Sequence, residues 1–306
     1  MPAIFLDCTD DMAPLWASVQ RPGDPAVTVN MSPGQPEDVP ALLAGYDTCI
    51  DDHTYFDAAT LLRCTGLRRI VFLGTGASSF IDTAAAGRCG IVVDTIKGYG
   101  DTTVAEHTIT LALAAARSVA RMDREVRAGQ WRQIEGVQVL GKTLGIIGLG
   151  GIGREVARMA VGLGMQVLAW NRTPVPGAGA ALDDVLARSD ILCLTLALNE
   201  GTRGFLDAGR LARTKPGVIF VNTARADIVD NAALVRLLAS GHIRHAGIDV
   251  FSPEPPAPDN PLLGLPNVTL TAHVGFMTPE ATTAMLRKAL DIVIAAGGQP
   301  GQSPAA

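Results

Sequence analysis

Three polar residues stand just beyond predicted strands and carry side chains that could act together in catalysis. They are Arg225 after Val218–Asn222, Glu254 after Ala246–Phe251, and His273 after Val268–Thr271. An imidazole exchanges a proton near neutral pH, and a carboxylate can hydrogen-bond it, favour its charged form and fix its orientation. A guanidinium presents a fork that matches a carboxylate. Taken singly, each residue could instead be a solvated or ion-paired group, or a loop residue whose hydrogen bonds are made locally.

A glycine-rich turn lies at the centre of the chain. The apolar run Leu144–Ile147 leads into Gly148-Leu-Gly-Gly-Ile-Gly153, helical spacing continues to Leu163, and a second apolar run is Val167–Trp170. Gly148 permits a tight turn, Gly150 admits a pyrophosphate to the backbone, and Gly153 lets the helix pack closely on the strand. Gly151 and Ile152 open the helix, where amides favour phosphate. A chain with 33 glycines could hold a merely structural turn. The flanking strands and helix favour dinucleotide binding.

The elements around these residues predict an α/β fold with parallel sheets. Predicted strands in the first hundred residues are Ala3–Leu6, Ala26–Val29, Asp47–Ile50, Ile70–Leu73 and Ile91–Ile96, with helices near 11–20, 37–44, 57–64 and 81–88. Further along are a strand at Ile191–Leu198 and helices at Thr103–Arg127, Asn231–Ser240 and 279–296. Strands that alternate with helices form sheets covered on both faces. Ligands bind outside the carboxyl ends of such strands, so Arg225, Glu254 and His273 can share one crevice with the glycine turn.

Two further segments can each be interpreted in two ways. Gly74–Ser79 follows a predicted strand, so its amides could hold an anion or merely turn the chain. The helix at Thr103–Arg127 is rich in small residues and could cross between domains or form a subunit contact. Its His107 is expected to hydrogen-bond on a helix face. Trp131, in the loop that leads into the glycine-turn unit, is expected to be a packing residue.

Composition excludes several classes of protein. The 306 residues are 48% apolar and 18% charged, with a net charge of −5 and no basic footprint for nucleic acid. No uncharged apolar stretch reaches the length that a membrane span needs. The acidic start lacks the basic region of a secretory signal. The five cysteines form no CxxC pattern and read as reduced thiols rather than disulfides or metal ligands, so we expect a cytoplasmic protein without a metal site. The tail 297–306 is rich in Gly, Pro and Ser, and this composition predicts a mobile segment.

An ordered series of six segments is distributed over most of the chain. They are Val104–His107, GKTLGIIGLGGIGREVA (141–157), Lys215-Pro-Gly, VNTARADIVDNAAL (221–234), GIDVFSPEPP (247–256) and LPNVTLTAHVG (265–275). Through these segments nearly the whole chain resembles the D-isomer-specific 2-hydroxyacid dehydrogenase family. The resemblance implies two doubly wound parallel-sheet domains, with a Rossmann cofactor domain at 99–275 inserted into a flavodoxin-like catalytic domain at 1–98 plus 276–306. It also implies catalytic roles for Arg225, Glu254 and His273, a substrate carboxylate held near Gly76 and Ala77, and a homodimer formed through the cofactor domain.

The end of the second strand of the glycine-turn unit bears on the choice of cofactor. NAD-preferring sites place an acid there, but this chain has Asn171, which neither grips a ribose diol as a carboxylate does nor repels a 2′-phosphate. Arg172 and Thr173 follow and suit that phosphate. We therefore predict a preference for NADP(H), with NAD(H) possible, although Arg172 could be only a solvated edge residue. The remaining expected cofactor-binding positions are Thr195, Thr223, Ala224 and Asp249.

Several positions depart from the family pattern without removing a catalytic group. They are Asp101, Thr195, Ala197, Ala226, Ala272 and Phe276, of which Phe276 could line the pocket or pack at the domain hinge. The sequence thus predicts an NAD(P)-dependent enzyme that interconverts a 2-oxo acid and a D-2-hydroxy acid, similar to glyoxylate and hydroxypyruvate reductases, and leaves the substrate open. The alternative is a regulatory protein that senses a dinucleotide without turnover, and formate or phosphite oxidation ranks below both.

Overall fold

The computed structural model describes residues 2–32, 35–173 and 179–297. The predicted mobile tail lies outside these ranges, apart from Gly297. The chain divides into two compact units, with boundaries between Gly100 and Asp101 and between Met277 and Thr278. We call the unit formed by the two outer parts of the chain unit 1, and the unit formed by the middle part unit 2.

Unit 1 is a parallel sheet flanked by helices. Its elements are β1 (Ala3–Phe5), α1 (Met12–Val19), β2 (Val27–Val29), α2 (Val39–Leu42), β3 (Thr48–Asp51), α3 (Ala58–Arg63), β4 (Arg69–Phe72), α4 (Thr83–Arg88), β5 (Val92–Thr95) and, after unit 2, α12 (Pro279–Gly297). Within the described residues the strand order is β2-β1-β3-β4-β5, and every neighbouring pair is parallel. This order is the flavodoxin-like one, and the predicted fold of this unit is confirmed.

Alternate residues of the unit 1 strands bury the two faces of the sheet in separate cores. Ile4 and Ile70 face one core, while Phe5 and Val71 face the other. The second core also contains Leu286 of α12, which explains why the end of the chain returns to unit 1. Strands buried on both faces read as continuous apolar runs, which is why they were visible in the sequence.

Unit 2 repeats this architecture around the glycine turn. Its elements are α5 (Asp101–Ala116), α6 (Val119–Arg127), β6 (Thr143–Ile147), α7 (Gly151–Gly162), β7 (Gln166–Trp170), α8 (Leu182–Arg188), β8 (Ile191–Leu194), α9 (Ala208–Ala212), β9 (Val218–Asn222), α10 (Asn231–Ala239), β10 (Ile243–Ile248), α11 (Pro261–Gly264) and β11 (Val268–Leu270). In the described part of the chain the sheet order is β11-β10-β9-β8-β6-β7, all parallel. The chain moves outward from β6 to β7 and then returns to the other side of β6. The crevice that binds ligands in such sheets therefore opens between β6 and β8.

The structure corrects four local predictions. The helix predicted over Thr103–Arg127 is broken, because Ser118 adopts a left-handed conformation with φ of 50° between α5 and α6. The strand predicted over Ile191–Leu198 ends at Leu194, since the chain then turns toward the glycine turn. The strand predicted over Ala246–Phe251 begins earlier and ends at Ile248. Trp131 is 84% exposed and does not pack against the protein as predicted.

No helix in the described ranges is long and apolar enough to cross a membrane. The same residues contain no group of His, Cys, Asp and Glu side chains that could hold a metal ion.

Candidate active site

The three motif glycines of the turn between β6 and α7 differ in what surrounds them. Gly148 has φ of 108°, and a Cβ there would lie 2.8 Å from the amide nitrogen of Leu196. A Cβ on Gly153 would lie 2.1 Å from the carbonyl oxygen of Gly148, so the helix can approach the turn only without a side chain. A Cβ on Gly150 would meet no described atom within 4 Å. The backbone at Gly150 is therefore open to a ligand, and the three glycines have three different physical roles.

Side chains from neighbouring strand ends hold this turn in place. Thr195, just after β8, donates from its hydroxyl to the Gly148 carbonyl at 2.7 Å. Asn171, just after β7, accepts from the Leu149 amide at 3.1 Å and donates to the Thr173 carbonyl at 2.7 Å. Thr195 and Asn171, both predicted to bind the cofactor, thus hold the backbone of the glycine turn.

Two charged groups flank the turn. Arg172 is exposed, and its Nη1 lies 3.4 Å from the side-chain oxygen of Asn199. Asp101 opens α5 with its carboxylate against Gly151, where an added Cβ would lie only 1.9 Å from Oδ2. A side chain at position 151 would therefore displace the Asp101 carboxylate, a contact that the spacing of the motif does not reveal.

His273 and Glu254 form a hydrogen-bonded pair at the carboxyl ends of β11 and β10. Nδ1 of His273 lies 2.6 Å from Oε2 of Glu254, while Oε1 of Glu254 accepts from the Phe251 amide at 2.7 Å. Both carboxylate oxygens are engaged, so the carboxylate cannot rotate freely and the ring orientation is set. About a third of each side chain is exposed, at 34% for His273 and 35% for Glu254. The pair can therefore exchange a proton with a ligand.

The loop that carries His273 is anchored by Asp249. His273 has φ of 53°, which is unusual for a residue other than glycine, and its amide donates to the Asp249 carbonyl at 2.8 Å. The Asp249 carboxylate, 1% exposed, accepts from the amides of Val274 and Gly275, both at 3.0 Å. These bonds hold the loop in a conformation that the backbone would not otherwise favour.

Asp249 is itself held by two side chains. The Thr271 hydroxyl donates to its Oδ1 at 2.6 Å, and Nε2 of His107 lies 3.3 Å from the same oxygen. Burial raises the pKa of Asp249, but hydrogen bonds from His107, Thr271 and Val274 outweigh burial and keep the pKa below its usual value. The sequence placed His107 on a helix face and Asp249 among cofactor-binding residues, and it gave no sign that the two meet.

Arg225 follows β9, the strand beside β10. Its Nη1 donates to the Ala224 carbonyl at 2.7 Å, and the Asn222 side chain bonds both the Ala224 amide and the Arg225 carbonyl. The Thr223 hydroxyl is 2.7 Å from that of Thr108 on α5. Since β9, β10 and β11 are parallel neighbours, Arg225, Glu254 and His273 all emerge at one edge of the unit 2 sheet, as predicted from their spacing.

An apolar cavity of about 460 Å³ lies beside the His273–Glu254 pair. Besides these two residues, Phe251, Pro255, Pro256, Leu263 and Leu270 line it. Phe276 follows His273 by three residues in the chain. The centroids of the two rings are 6.5 Å apart, and the rings are edge-on to each other. The imidazole is thus surrounded largely by apolar groups.

Gly76 and Ala77, predicted to hold a substrate carboxylate, belong to unit 1. They follow β4 and lead into a single 3-10 turn over Ala77–Ser79. Their carbonyls accept from the amides of Ser79 and Phe80, both at 3.0 Å. The loop is therefore a tight turn at the carboxyl edge of the unit 1 sheet.

Comparison with known proteins identifies the family. Residues 109–275 match the family model described as D-isomer specific 2-hydroxyacid dehydrogenase, NAD binding domain. The chain belongs to this family. Unit 2 is accordingly a nicotinamide dinucleotide-binding domain, and the open backbone at Gly150 and the close packing at Gly153 fit that ligand. The family resemblance drawn from the sequence is confirmed.

Among its relatives, the chain is 39% identical to D-3-phosphoglycerate dehydrogenase from Archaeoglobus fulgidus, over 82% of this chain and 49% of that protein. It thus spans about half the length of the first curated relatives it matches. It is also 39% identical to hydroxypyruvate reductase from Thermotoga maritima, over 70% of this chain and 72% of that one. The crystal structure of a glyoxylate reductase from Paecilomyes thermophila is 31% identical, covers 96% of this chain and 95% of its own, and superposes with a TM-score of 0.80.

Proposed function

We propose that the protein is an NAD(P)-dependent oxidoreductase that interconverts a 2-oxo acid and a D-2-hydroxy acid. The observation that carries this proposal is the His273–Glu254 pair, 2.6 Å apart and partly exposed at the same sheet edge as Arg225. A protein that only sensed a dinucleotide would have no use for an oriented proton donor at that edge. Family membership supports the same activity, which relatives such as hydroxypyruvate reductase carry in their names.

Each of the three residues has a defined part in this reaction. His273, with Nδ1 engaged by Glu254, uses its other ring nitrogen to protonate the oxygen at C2 during reduction and to remove that proton during oxidation. Arg225 binds the substrate carboxylate or polarises the carbonyl. Glu254 keeps one tautomer and one ring orientation. A bound nicotinamide supplies or accepts the hydride. We also propose that the backbone amides around Gly76 and Ala77 bind the substrate carboxylate, which gives unit 1 a part in substrate binding.

The proposal is tested by steady-state reduction of glyoxylate, hydroxypyruvate and a bulkier 2-oxo acid. We expect His273→Ala to lower kcat by about 10²- to 10⁴-fold while the cofactor still binds, because the proton donor is lost. The matched control is His242→Ala, at a histidine whose ring contacts the Thr214 hydroxyl outside the site. Unchanged turnover in His273→Ala would remove this residue from the mechanism. Cofactor binding without turnover of any acid would support the regulatory alternative instead.

We also propose that NADP(H) is the preferred cofactor. Asn171 offers no carboxylate for a ribose diol, and both ends of its amide are used by Leu149 and Thr173. Arg172 is exposed beside them, and its contact with the Asn199 side chain is long, at 3.4 Å. Its guanidinium can pair with a 2′-phosphate in a charge-assisted hydrogen bond.

A comparison of kcat/KM for NADPH and NADH tests this preference. We expect Arg172→Ala to reduce kcat/KM for NADPH by about tenfold or more and to leave that for NADH nearly unchanged, since a hydrogen bond to a charged group is lost. Arg154→Ala, at an exposed arginine on α7, is the matched control. A wild-type preference for NADH would overturn the assignment.

A homodimer formed through unit 2 is the third part of the proposal. Helix α6 has no buried residue, and Trp131 after it is 84% exposed. Leu140 and Val161 of the same unit are both 63% exposed. Such side chains form an interaction surface where they make one contiguous patch, as we propose for this face. We expect Trp131→Ser to weaken the dimer in sedimentation experiments, whereas the control Leu263→Ser leaves it intact. A wild-type monomer at micromolar concentration would refute this part.

We place the protein in the cytoplasm. All five cysteines are free, and Cys8, Cys49, Cys64 and Cys193 are buried. Burial raises the pKa of Cys193 to about 12, so this thiol stays protonated and unreactive. Unpaired thiols of this kind suit a reducing compartment. Cell fractionation would test the location.

A further inference from the structure

Unit 1 contains a second pair of a carboxylate and an imidazole, directly after β3. Oδ2 of Asp52 lies 2.7 Å from Nδ1 of His53. Asp52 is buried, whereas the His53 side chain is 59% exposed. As in the His273–Glu254 pair, the carboxylate engages Nδ1, and Nε2 remains as the ring nitrogen for another partner.

Hydrogen bonds to one carboxylate hold the loop that carries this pair. The Asp7 carboxylate, just beyond β1, accepts from the amides of Asp52 at 2.9 Å, His53 at 2.8 Å and Thr54 at 3.0 Å. It also accepts from the Thr54 hydroxyl at 2.9 Å. A side chain on a loop held by four hydrogen bonds is positioned before any ligand arrives, so little entropy is lost when it binds one.

His53 lies next to the turn that we assign to the substrate carboxylate. Strands β3 and β4 are hydrogen-bonded neighbours, so the loops after them share the carboxyl edge of the sheet. The His53 ring is edge-on to the Phe80 ring, with centroids 4.9 Å apart, and Phe80 directly follows the Ala77–Ser79 turn. The Phe56 amide donates to the Phe80 carbonyl at 2.8 Å and ties the two loops together. The imidazole is therefore placed to reach the part of a substrate that lies beyond its carboxylate.

The charges around His53 select the kind of group it would bind. The hydrogen bond that the His53 ring donates to the Asp52 carboxylate raises the pKa of His53, which favours a ring that donates hydrogen bonds. The carboxylates of Asp7 and Asp52 both act on this one imidazole, and burial followed by repulsion from Asp7 raises the pKa of the neighbouring Asp51. The local charge is thus negative, which disfavours a phosphate or a second carboxylate. A neutral hydroxyl is the acceptor that fits.

We propose that His53, oriented by Asp52, is a specificity residue that donates a hydrogen bond to a hydroxyl group on C3 of the substrate. The preferred substrates are then short 2-oxo acids with a 3-hydroxyl and without a phosphate. This inference rests on the proposed function, because it takes the Gly76–Ala77 turn as the carboxylate site. His53 contributes to binding and discrimination, while Asp52 is a positioning residue that acts through it.

The test is the ratio of kcat/KM for hydroxypyruvate to that for pyruvate, which differ in the 3-hydroxyl. We expect the wild type to favour hydroxypyruvate and His53→Leu to lower the ratio by about tenfold or more, through hydroxypyruvate and not through pyruvate. His53→Gln, which keeps a donor, should retain part of the preference. Asp52→Asn should lower the ratio less than His53→Leu does. Tyr55→Phe, at an exposed neighbour on the same loop, is the matched control and should leave the ratio unchanged.

Two results would overturn the inference. One is an unchanged ratio in both His53 variants while each still binds the cofactor as the wild type does. The other is a wild-type preference for 3-phosphohydroxypyruvate over hydroxypyruvate, which would contradict the charge argument. If the wild type reduced none of these acids, the proposed function itself would fail, and the inference with it. Turnover of both acids with an unaffected ratio would remove only the role of His53.

Discussion

Acidification should destabilise unit 2 through a buried histidine that is not one of the predicted catalytic residues. His245 on β10 is 3% exposed, and its Nε2 lies 3.0 Å from the Thr269 hydroxyl. Burial, together with Arg124, Arg121 and Arg244, lowers the pKa of His245 from 6.5 to about 4. In the unfolded chain His245 therefore binds a proton below pH 6.5, whereas in the folded chain it binds that proton only below about pH 4. Stability is lost as the pH falls through this window.

The size of the effect follows from the width of the window. Each pH unit in which only the unfolded state is protonated costs about 1.4 kcal/mol, so the full loss from pH 7 to pH 4 is about 3 kcal/mol. Denaturation with guanidinium, followed through the fluorescence of Trp131 and Trp170 in unit 2, would measure it at pH 7, 5.5 and 4.5. His245→Gln should flatten this pH dependence, whereas His242→Gln should retain it. An equal slope in wild type and His245→Gln would refute the reasoning.

Three further predictions concern the backbone and the His273 loop. Gly153→Ala should weaken dinucleotide binding by about tenfold or more in a fluorescence titration, because the added Cβ would lie 2.1 Å from the Gly148 carbonyl oxygen. The control is Gly162→Ala on the same helix, whose Cβ would have no described atom within 4 Å and which should bind the dinucleotide normally. Ser118→Gly should raise the free energy of unfolding by about 0.5–1 kcal/mol, since φ of 50° suits glycine; a lower melting temperature would contradict this. Asp249→Asn should cost about 1–3 kcal/mol at pH 7, a difference that shrinks as the wild-type carboxylate is protonated below its usual pKa of 3.8; an equal cost at acid pH would exclude ionisation as the cause.

The parallel-sheet fold could be predicted because its strands are buried on both faces. Ile191–Leu194 and Val218–Asn222 are buried throughout, which produces the apolar runs seen in the sequence. The ends of elements were less accurate. A left-handed residue such as Ser118 carries no signal, since serine occurs freely in helices and loops, and the helix was therefore predicted to continue through it.

The candidate site was predictable where one short segment makes it. The roles of Gly150 and Gly153 depend on backbone geometry within a single turn, and the sequence contains that information, whereas the approach of Leu196 to Gly148 joins segments far apart in the chain. Roles that depend on contacts between distant segments were missed. Asp249 was expected to bind cofactor, and its carboxylate is instead seen holding the amides of Val274 and Gly275, with His107 from α5 against it. Its predicted part in cofactor binding stays a prediction.

What the sequence alone determined is the order of the elements, the dinucleotide turn and the set of polar residues at strand ends, because residue type and spacing dictate them locally. The tertiary structure decided which of those residues meet. The pairing of His273 with Glu254 and of His53 with Asp52 and Asp7 depends on strand order and on the path of each loop, and these are set by packing of the whole sheet. The glycine turn could be recognised in the sequence, whereas the contact of Asp101 with Gly151 could be seen only once α5 was folded against α7.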